Sequence, residues 1–281
     1  MRAYILLKIL ALCMAALGLI SLFGDLAFTS VTIPWKEADE GLFVAEFESV
    51  FDNNPYEITL VKVNPERYSF QLQCATQHGK ESFTVKEWAL RYQMVAAVNA
   101  GMFQENGLTS VGFMKNFAHV NNPRLNNANT ILAFNRVDEN VPEIQLVDCE
   151  CQDFNYLRQK YQSFVQSIRM ISCSHQNVWS QQDTKWSTLA VAMDTQGNIL
   201  FLFNRTPLSV HDFIEILLSL PLSLKSAMYL EGGPQASLYL STSRMTLERY
   251  GVRGGLEKNP LPFPLTIPNV IGISKKPSVK N

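Results

Sequence analysis

The chain has 281 residues, 47% of them hydrophobic and 17% charged, with a formal net charge of −1. This is the composition of a globular protein that buries a substantial core without metal or disulfide staples, and it excludes disordered and fibrous classes. With no global basic field, nucleic acid is excluded as a partner and an anionic membrane surface is disfavoured.

In chain order, Arg2 and Lys8 come first, and residues 9–24 are apolar and uncharged, which is the layout of an export signal. The stretch is shorter than the ~20 residues of a comfortable membrane span. Its nearest cleavage candidate, Asp25-Leu26-Ala27, lacks the small-x-small pattern. Residues 1–27 therefore read as a signal peptide or a signal anchor, and this is the only membrane contact expected. The body is expected outside the cytoplasm: periplasmic, extracellular, or held at the cell envelope by the N-terminal segment.

"EITLVKV" and the strictly alternating "YSFQLQC" read as neighbouring strands, the second half-buried. Thr84 and Glu87 form a capping box that opens a helix through Trp88 and Tyr92. The apolar run in "MVAAVNAGMF" is a buried strand that ends at Asn99-Ala100-Gly101. From Gln104 a long Asn-rich surface segment follows, with a short strand around Val111 to Met114. Residues 154–164 carry Leu157, Tyr161 and Phe164 at helical spacing, and "SIRMISC" follows as a strand.

"TLAVAMDTQGNILFLF" reads as a β-hairpin. Ser209 and Asp212 cap a helix that Pro221 stops. In "AMYLEGGPQASLYL" an apolar strand is followed at once by Glu231, Gly232 and Gly233. The prolines from residue 258 onward predict an extended tail that wraps the surface. Strands and helices mix throughout, so the expected fold is α+β, a mixed sheet with flanking helices in a single large domain over residues 28–257, with a Pro-rich tail over 258–281. Beyond the signal, Cys74, Cys149, Cys151 and Cys173 permit two disulfides in three connectivities, or stand as buried thiols.

Phosphate-loop, dinucleotide, zinc-protease and nucleophile-elbow motifs are all missing, so no cofactor is expected. His78, His119, His175 and His211 are scattered singly and give no histidine-led triad. Polar groups remain at strand ends: Asn99 with Gly101, Gln166 with Arg169, Asp194, and Glu231 with its glycines. Asp194 sits where a hairpin-turn aspartate bonds its own backbone. Arg169, inside an apolar pattern, requires an anion, either a protein carboxylate or a substrate phosphate. Glu231 is the strongest candidate, since local pattern gives it no helical partner and no exposed face.

The succession "AVNAGMF", "TSVGFMKN", "VQSIRMIS" and "AMYLEGGPQASLYL", over residues 94–240, resembles the phosphodiester glycosidases. In that resemblance the family's Asn-Ala-Gly turn falls on Asn99, Ala100 and Gly101, and its next glycine on Gly112. Gln166 matches a family glutamine, but Ile168-Arg169 replace the Gly-Pro that follows it. Glu231-Gly232-Gly233 stand for Asp-Gly-Gly, with Gln235 at the serine position and Ser237 two places on. An arginine before the hairpin has no match unless Lys185 or Arg169 replaces it.

The resemblance implies hydrolysis of a sugar-1-phosphodiester to free sugar and phosphomonoester, on a sugar phosphate or glycan substrate. It implies catalytic roles for Glu231, Asn99 and Asp194, and substrate contacts from Arg169, Gln166, Gly101, Gly232, Gly233 and Ser237. Two other readings stay open. One is a non-catalytic glycan-binding envelope protein; the other is a phosphodiesterase in which Glu231, Asp194 and Asn99 hold a divalent cation.

Overall fold

A computed structural model describes residues 32–51, 53–253 and 264–277. Contacts divide the chain after Thr32, and the fold described here is that of the body beginning at Ile33. The expected signal segment lies outside the described residues.

The body opens with β1 (Lys36–Asp39), β2 (Leu42–Phe51), β3 (Asn54–Val63) and β4 (Tyr68–Cys74), followed by helix α1 (Val85–Arg91). Next come β5 (Ala96–Asn99), the short pair β6 (Met114–Asn116) and β7 (His119–Asn122), then β8 (Asn129–Arg136) and β9 (Ile144–Asp148). One helical turn, α2 (Phe154–Leu157), leads into the long β10 (Tyr161–Ile171). The hairpin β11 (Trp186–Asp194) and β12 (Ile199–Leu208) precedes α3 (Val210–Ser219). The last strands are β13 (Leu224–Gly232), β14 (Ser237–Ser241), β15 (Thr246–Tyr250) and β16 (Asn269–Lys275).

These strands build two sheets. The larger runs β1-β2-β3-β12-β11-β13-β10-β6-β7, with β8 and β9 continuing from β10, and the smaller runs β15-β14-β5-β16-β4. Their inner faces form one core, in which Val61, Leu189, Val191, Phe201, Met228 and Leu230 meet Leu72, Val98, Leu238 and Ile271. On the outer face of the larger sheet, α3 lays Phe213, Ile214 and Leu217 over Leu60, Ala190, Ala192, Leu202 and Ala227. The middle strands are thus buried on both faces, which is why "LAVAM" and "ILFLF" are continuous apolar runs instead of alternating ones.

The α+β expectation is overturned. Among the described residues, strands hold 50% and helix 12%, in two antiparallel sheets. Helices do not flank a mixed sheet, because the apolar runs satisfy their backbone groups by pairing with one another. Among the described residues only α3 covers a face of the larger sheet as a full helix, while α1, held by the predicted Thr84–Glu87 capping box, packs at the smaller sheet. The helix expected over 154–164 stops at Leu157, and Tyr161 and Phe164 belong to β10.

Two pairings also differ from expectation. β3 pairs with β2 and β12, while β4 pairs with β16 in the other sheet. Within the Pro-rich tail, Asn269–Lys275 does not wrap the surface; it is an inner strand between β4 and β5. Prolines mark the chain leading to it, and its own residues are apolar. Among the described residues one disulfide forms, Cys151–Cys173, and Cys74 and Cys149 are free thiols that burial pushes up to about 12 and about 11.

Trp88 of α1 is fully buried and donates its ring N–H to the Ile267 carbonyl at 2.8 Å, tying the helix to the segment that enters β16. Trp88→Phe leaves that carbonyl without its donor. We expect a loss of about 1–3 kcal/mol in urea unfolding.

Candidate active site

β13 lies between β11 and β10; Lys225 near its start is exposed, Ser226 to Leu230 are buried, and cover thins again at Glu231 and Gly232. Its end, carrying Glu231 and Gly232, forms the floor of a cleft of about 640 Å³ lined also by Met102, Phe103, Val111, Thr184, Lys185, Trp186, Tyr229, Gly233, Pro234, Gln235 and Arg253. The flanks come from opposite sides of β13. Lys185 and Trp186 open β11, and the Trp186 backbone bridges that of Arg253. Met102, Phe103 and Val111 belong to a narrow turn whose root, Gly101, lies toward Val165 and Ser167 of β10.

The Glu231 carboxylate accepts the Gly232 N–H at 3.0 Å, and the surrounding protein removes most of its water. Desolvation dominates, pushing its pKa up to about 7, with the Gly232 bond opposing. Tyr229 beside it is raised as well, first by burial and then by the Glu231 charge, so its hydroxyl stays protonated. Its ring lies 5.3 Å from that of Trp179. A side chain at Gly232 would strike the Tyr229 hydroxyl and the Trp186 indole edge, so only glycine lets this aromatic wall close on the strand end. Gly233 adopts φ +63°, which turns the chain sharply away from the carboxylate.

The structure brings only some of the sequence-derived candidates together. Glu231, Gly232 and Gly233 line the cleft, and Gly101 adjoins its Met102 wall. Asn99 and Ser237 lie buried outside the lining: the Asn99 side-chain oxygen accepts the Ser237 N–H at 3.2 Å, holding β14 against β5 just after the Gly-Gly turn. Gln166 is also buried; its side-chain oxygen accepts the N–H groups of Phe113 and Asn126, and its amide donates to the Asn126 carbonyl. It pins the Asn-rich segment and does not reach the cleft lining.

Arg169 finds protein carboxylates. It meets Asp148 at 3.0 Å and Glu150 at 2.8 Å, beside the Cys151–Cys173 disulfide. Asp194 accepts the N–H groups of Gln196 and Asn198 and the Asn198 side-chain amide, as a turn aspartate does. Since Leu189 pairs with Glu231 and Asp194 with Leu224, Asp194 stands five positions away along β11, about 17 Å. The oxygen donors Glu231, Asp194 and Asn99 therefore do not converge on one cation. The one ligand-type cluster among the described residues, Asp148 with Cys151 and Cys173, has both sulfurs tied in the disulfide.

Trp186 and Tyr229 carry no local sequence signal of a site, and Lys185 and Gln235 stand out only as departures from a family pattern. Arg253 carried one weak signal, a lone cation in the glycine-bounded "GVRGG". Tyr229 and Trp186 sit inside apolar strand patterns that hide them.

The sequence pattern of the phosphodiester glycosidases matches residues 92–274. Among solved structures, the chain is similar to the zebrafish N-acetylglucosamine-1-phosphodiester alpha-N-acetylglucosaminidase catalytic domain, auto-inhibited by pro-peptide. Identity is 14% and the TM-score 0.60, over 88% of this chain and 89% of that one. It is also similar to a hypothetical protein from Synechocystis, at 14% identity and TM-score 0.62, over 87% of this chain and 64% of that one. At this identity the two likenesses speak for the fold. No curated protein matches the chain.

Two stability measurements check the site's electrostatics. The folded-state pKa of Glu231, about 7, lies above its ordinary 4.5. Its ionisation therefore penalises the folded state not at all below pH 4.5, increasingly between 4.5 and 7, and fully above. Glu231→Gln should stabilise the protein by about 1–3 kcal/mol at pH 8 and by little at pH 4.5, read from urea midpoints at both. Arg169→Gln should instead lower stability by about 3 kcal/mol at neutral pH, because it strands the buried Asp148 carboxylate.

Proposed function

This chain belongs to the phosphodiester glycosidase family, and from that membership we propose that it hydrolyses a sugar-1-phosphodiester to free sugar and a phosphomonoester. The observation that carries the reading is Glu231: a desolvated carboxylate on the cleft floor, with two cations, Lys185 and Arg253, on one flank.

Water attacks the anomeric carbon as the bond from that carbon to the phosphate oxygen breaks, and the bonding electrons leave with the phosphomonoester. Glu231, ionised, takes the proton from the attacking water and later returns it to solvent. The leaving phosphate is stable as an anion, so little demand falls on a general acid, and the chemistry rests on charge placement. Lys185 and Arg253 hold the phosphate, since Arg169 is engaged by Asp148 and Glu150. Trp186 and Tyr229 offer an aromatic wall to the sugar, and the protonated Tyr229 hydroxyl offers it a donor. The Gly232 N–H is already given to Glu231 and fixes the carboxylate, so it acts as an orienter and not as a phosphate ligand. Asn99 and Ser237 support the turn from behind.

We place the reaction outside the cytoplasm, on an envelope or extracellular glycan. The apolar stretch behind Arg2 and Lys8 supports this, as does the Cys151–Cys173 disulfide, a bond that persists in oxidising compartments.

The test is release of reducing sugar from a panel of sugar-1-phosphodiesters. A base that must be ionised makes kcat/KM rise with pH through about 7 and then level off. Glu231→Gln should lower kcat by about 10²–10⁴-fold. Undiminished turnover in that variant would remove Glu231 from the chemistry, whereas glycan binding without sugar release by the wild type would favour a non-catalytic binder.

A further inference from the structure

We infer that the second substituent on the phosphate is a hydrocarbon chain, seated on the Met102, Phe103 and Val111 wall of the cleft. This rests on the glycosidase reading and names the class of alcohol in its substrate.

The two sides of the cleft differ in kind. The polar lining side chains Thr184, Lys185, Gln235 and Arg253 belong to one flank. Thr184 and Lys185 run into Trp186, whose backbone bridges that of Arg253, and Arg253 and Gln235 pass 3.6 and 3.9 Å from where a Cβ on Gly233 would lie. Across the Glu231 floor stands the narrow turn from the β10 side. Its arms are joined by the Val111 N–H, which donates to the Met102 carbonyl at 3.0 Å, and by the Phe103–Ser110 bridge. The side chains it gives to the cleft are Met102, Phe103 and Val111. Its polar side chains are used within the turn: the Gln104 amide donates to the Ser110 carbonyl, and the Asn106 oxygen accepts the Leu108 and Thr109 N–H groups.

This apolar wall is open to a ligand. Val111 is 40% exposed, and Met102 and Phe103 are half-buried. The neighbouring segment, held by the Asn126 amide on the Val111 carbonyl at 3.2 Å, adds Leu125, also exposed. With the phosphate on the cationic flank and the sugar against Trp186 and Tyr229, the alcohol side of the ester is left to this wall. A second sugar or a glycerol there would lay its hydroxyls on side chains that offer them no hydrogen bond, whereas a hydrocarbon chain gains by leaving water.

The experiment compares kcat/KM of the full chain on methyl, glyceryl and hexyl phosphodiesters of each sugar in the panel. The hexyl ester should exceed the glyceryl ester by at least about 10-fold, since each buried methylene contributes about 4-fold. Val111→Asn and Met102→Gln should each compress that ratio toward one. Hexyl phosphate, the product of its ester, should raise the melting temperature more than glycerol phosphate at equal concentration, a difference that Val111→Asn removes. A glyceryl ester turned over as well as the hexyl ester, or better, would overturn the inference and leave the glycosidase standing. No turnover of any ester would overturn hydrolysis itself, and the two phosphates then decide the inference alone. Greater protection by hexyl phosphate keeps the wall as a hydrocarbon site, and equal protection removes it.

Discussion

Burial of β13 on both faces and along both edges is the constraint from which the site follows. The strand is covered by the smaller sheet on one side and by the α3 layer on the other, and is paired with β11 and β10. Charged side chains stand only toward its two ends, Lys225 at one and Glu231 at the other, where this cover thins. The same cover makes the carboxylate reluctant to ionise, so the fold that positions the group also sets its proton affinity near neutrality.

Around this strand end, the partners of Glu231 come from remote parts of the chain. Trp186 arrives from β11, Arg253 from the segment after β15, and Met102 from the turn after β5. Each is placed by sheet pairing, and none by nearness in sequence to the glutamate. Asp194 and Arg169 show the converse. Both lie on strands adjoining β13, yet one is drawn into its own turn and the other into a carboxylate pair.

What could be read from the sequence was local. Alternation in "YSFQLQC", the Thr84–Glu87 box and the turn in "MDTQGN" act over a few residues and reappear as β4, the cap of α1 and the β11–β12 hairpin. Fold class was not local. A continuous apolar run such as "AMYL" looks the same in a parallel or an antiparallel sheet, and which strands pair is decided by the whole core. Leu157, Tyr161 and Phe164 misled for a related reason: three and four residue spacings also arise when a single helical turn runs into a strand and all three side chains meet in one small core. In the site, Glu231 and its glycines were legible because a charge and two bare backbones interrupt an apolar run. Arg253, Trp186 and Tyr229 have no such local contrast.

β16 has a consequence for how the molecule comes into being. It is an inner strand of the smaller sheet, with β5 on one edge and β4 on the other, and it is the one strand paired with β4 among the described residues. During synthesis, β4 and β5 emerge 195 and 170 residues before the strand that joins them. Half of the sandwich must therefore wait, its apolar inner face unfinished, until almost the whole chain has left the ribosome. A protein assembled in this order closes its core only with the last strand to be made, so the end of the chain, and not its beginning, decides when the fold is locked.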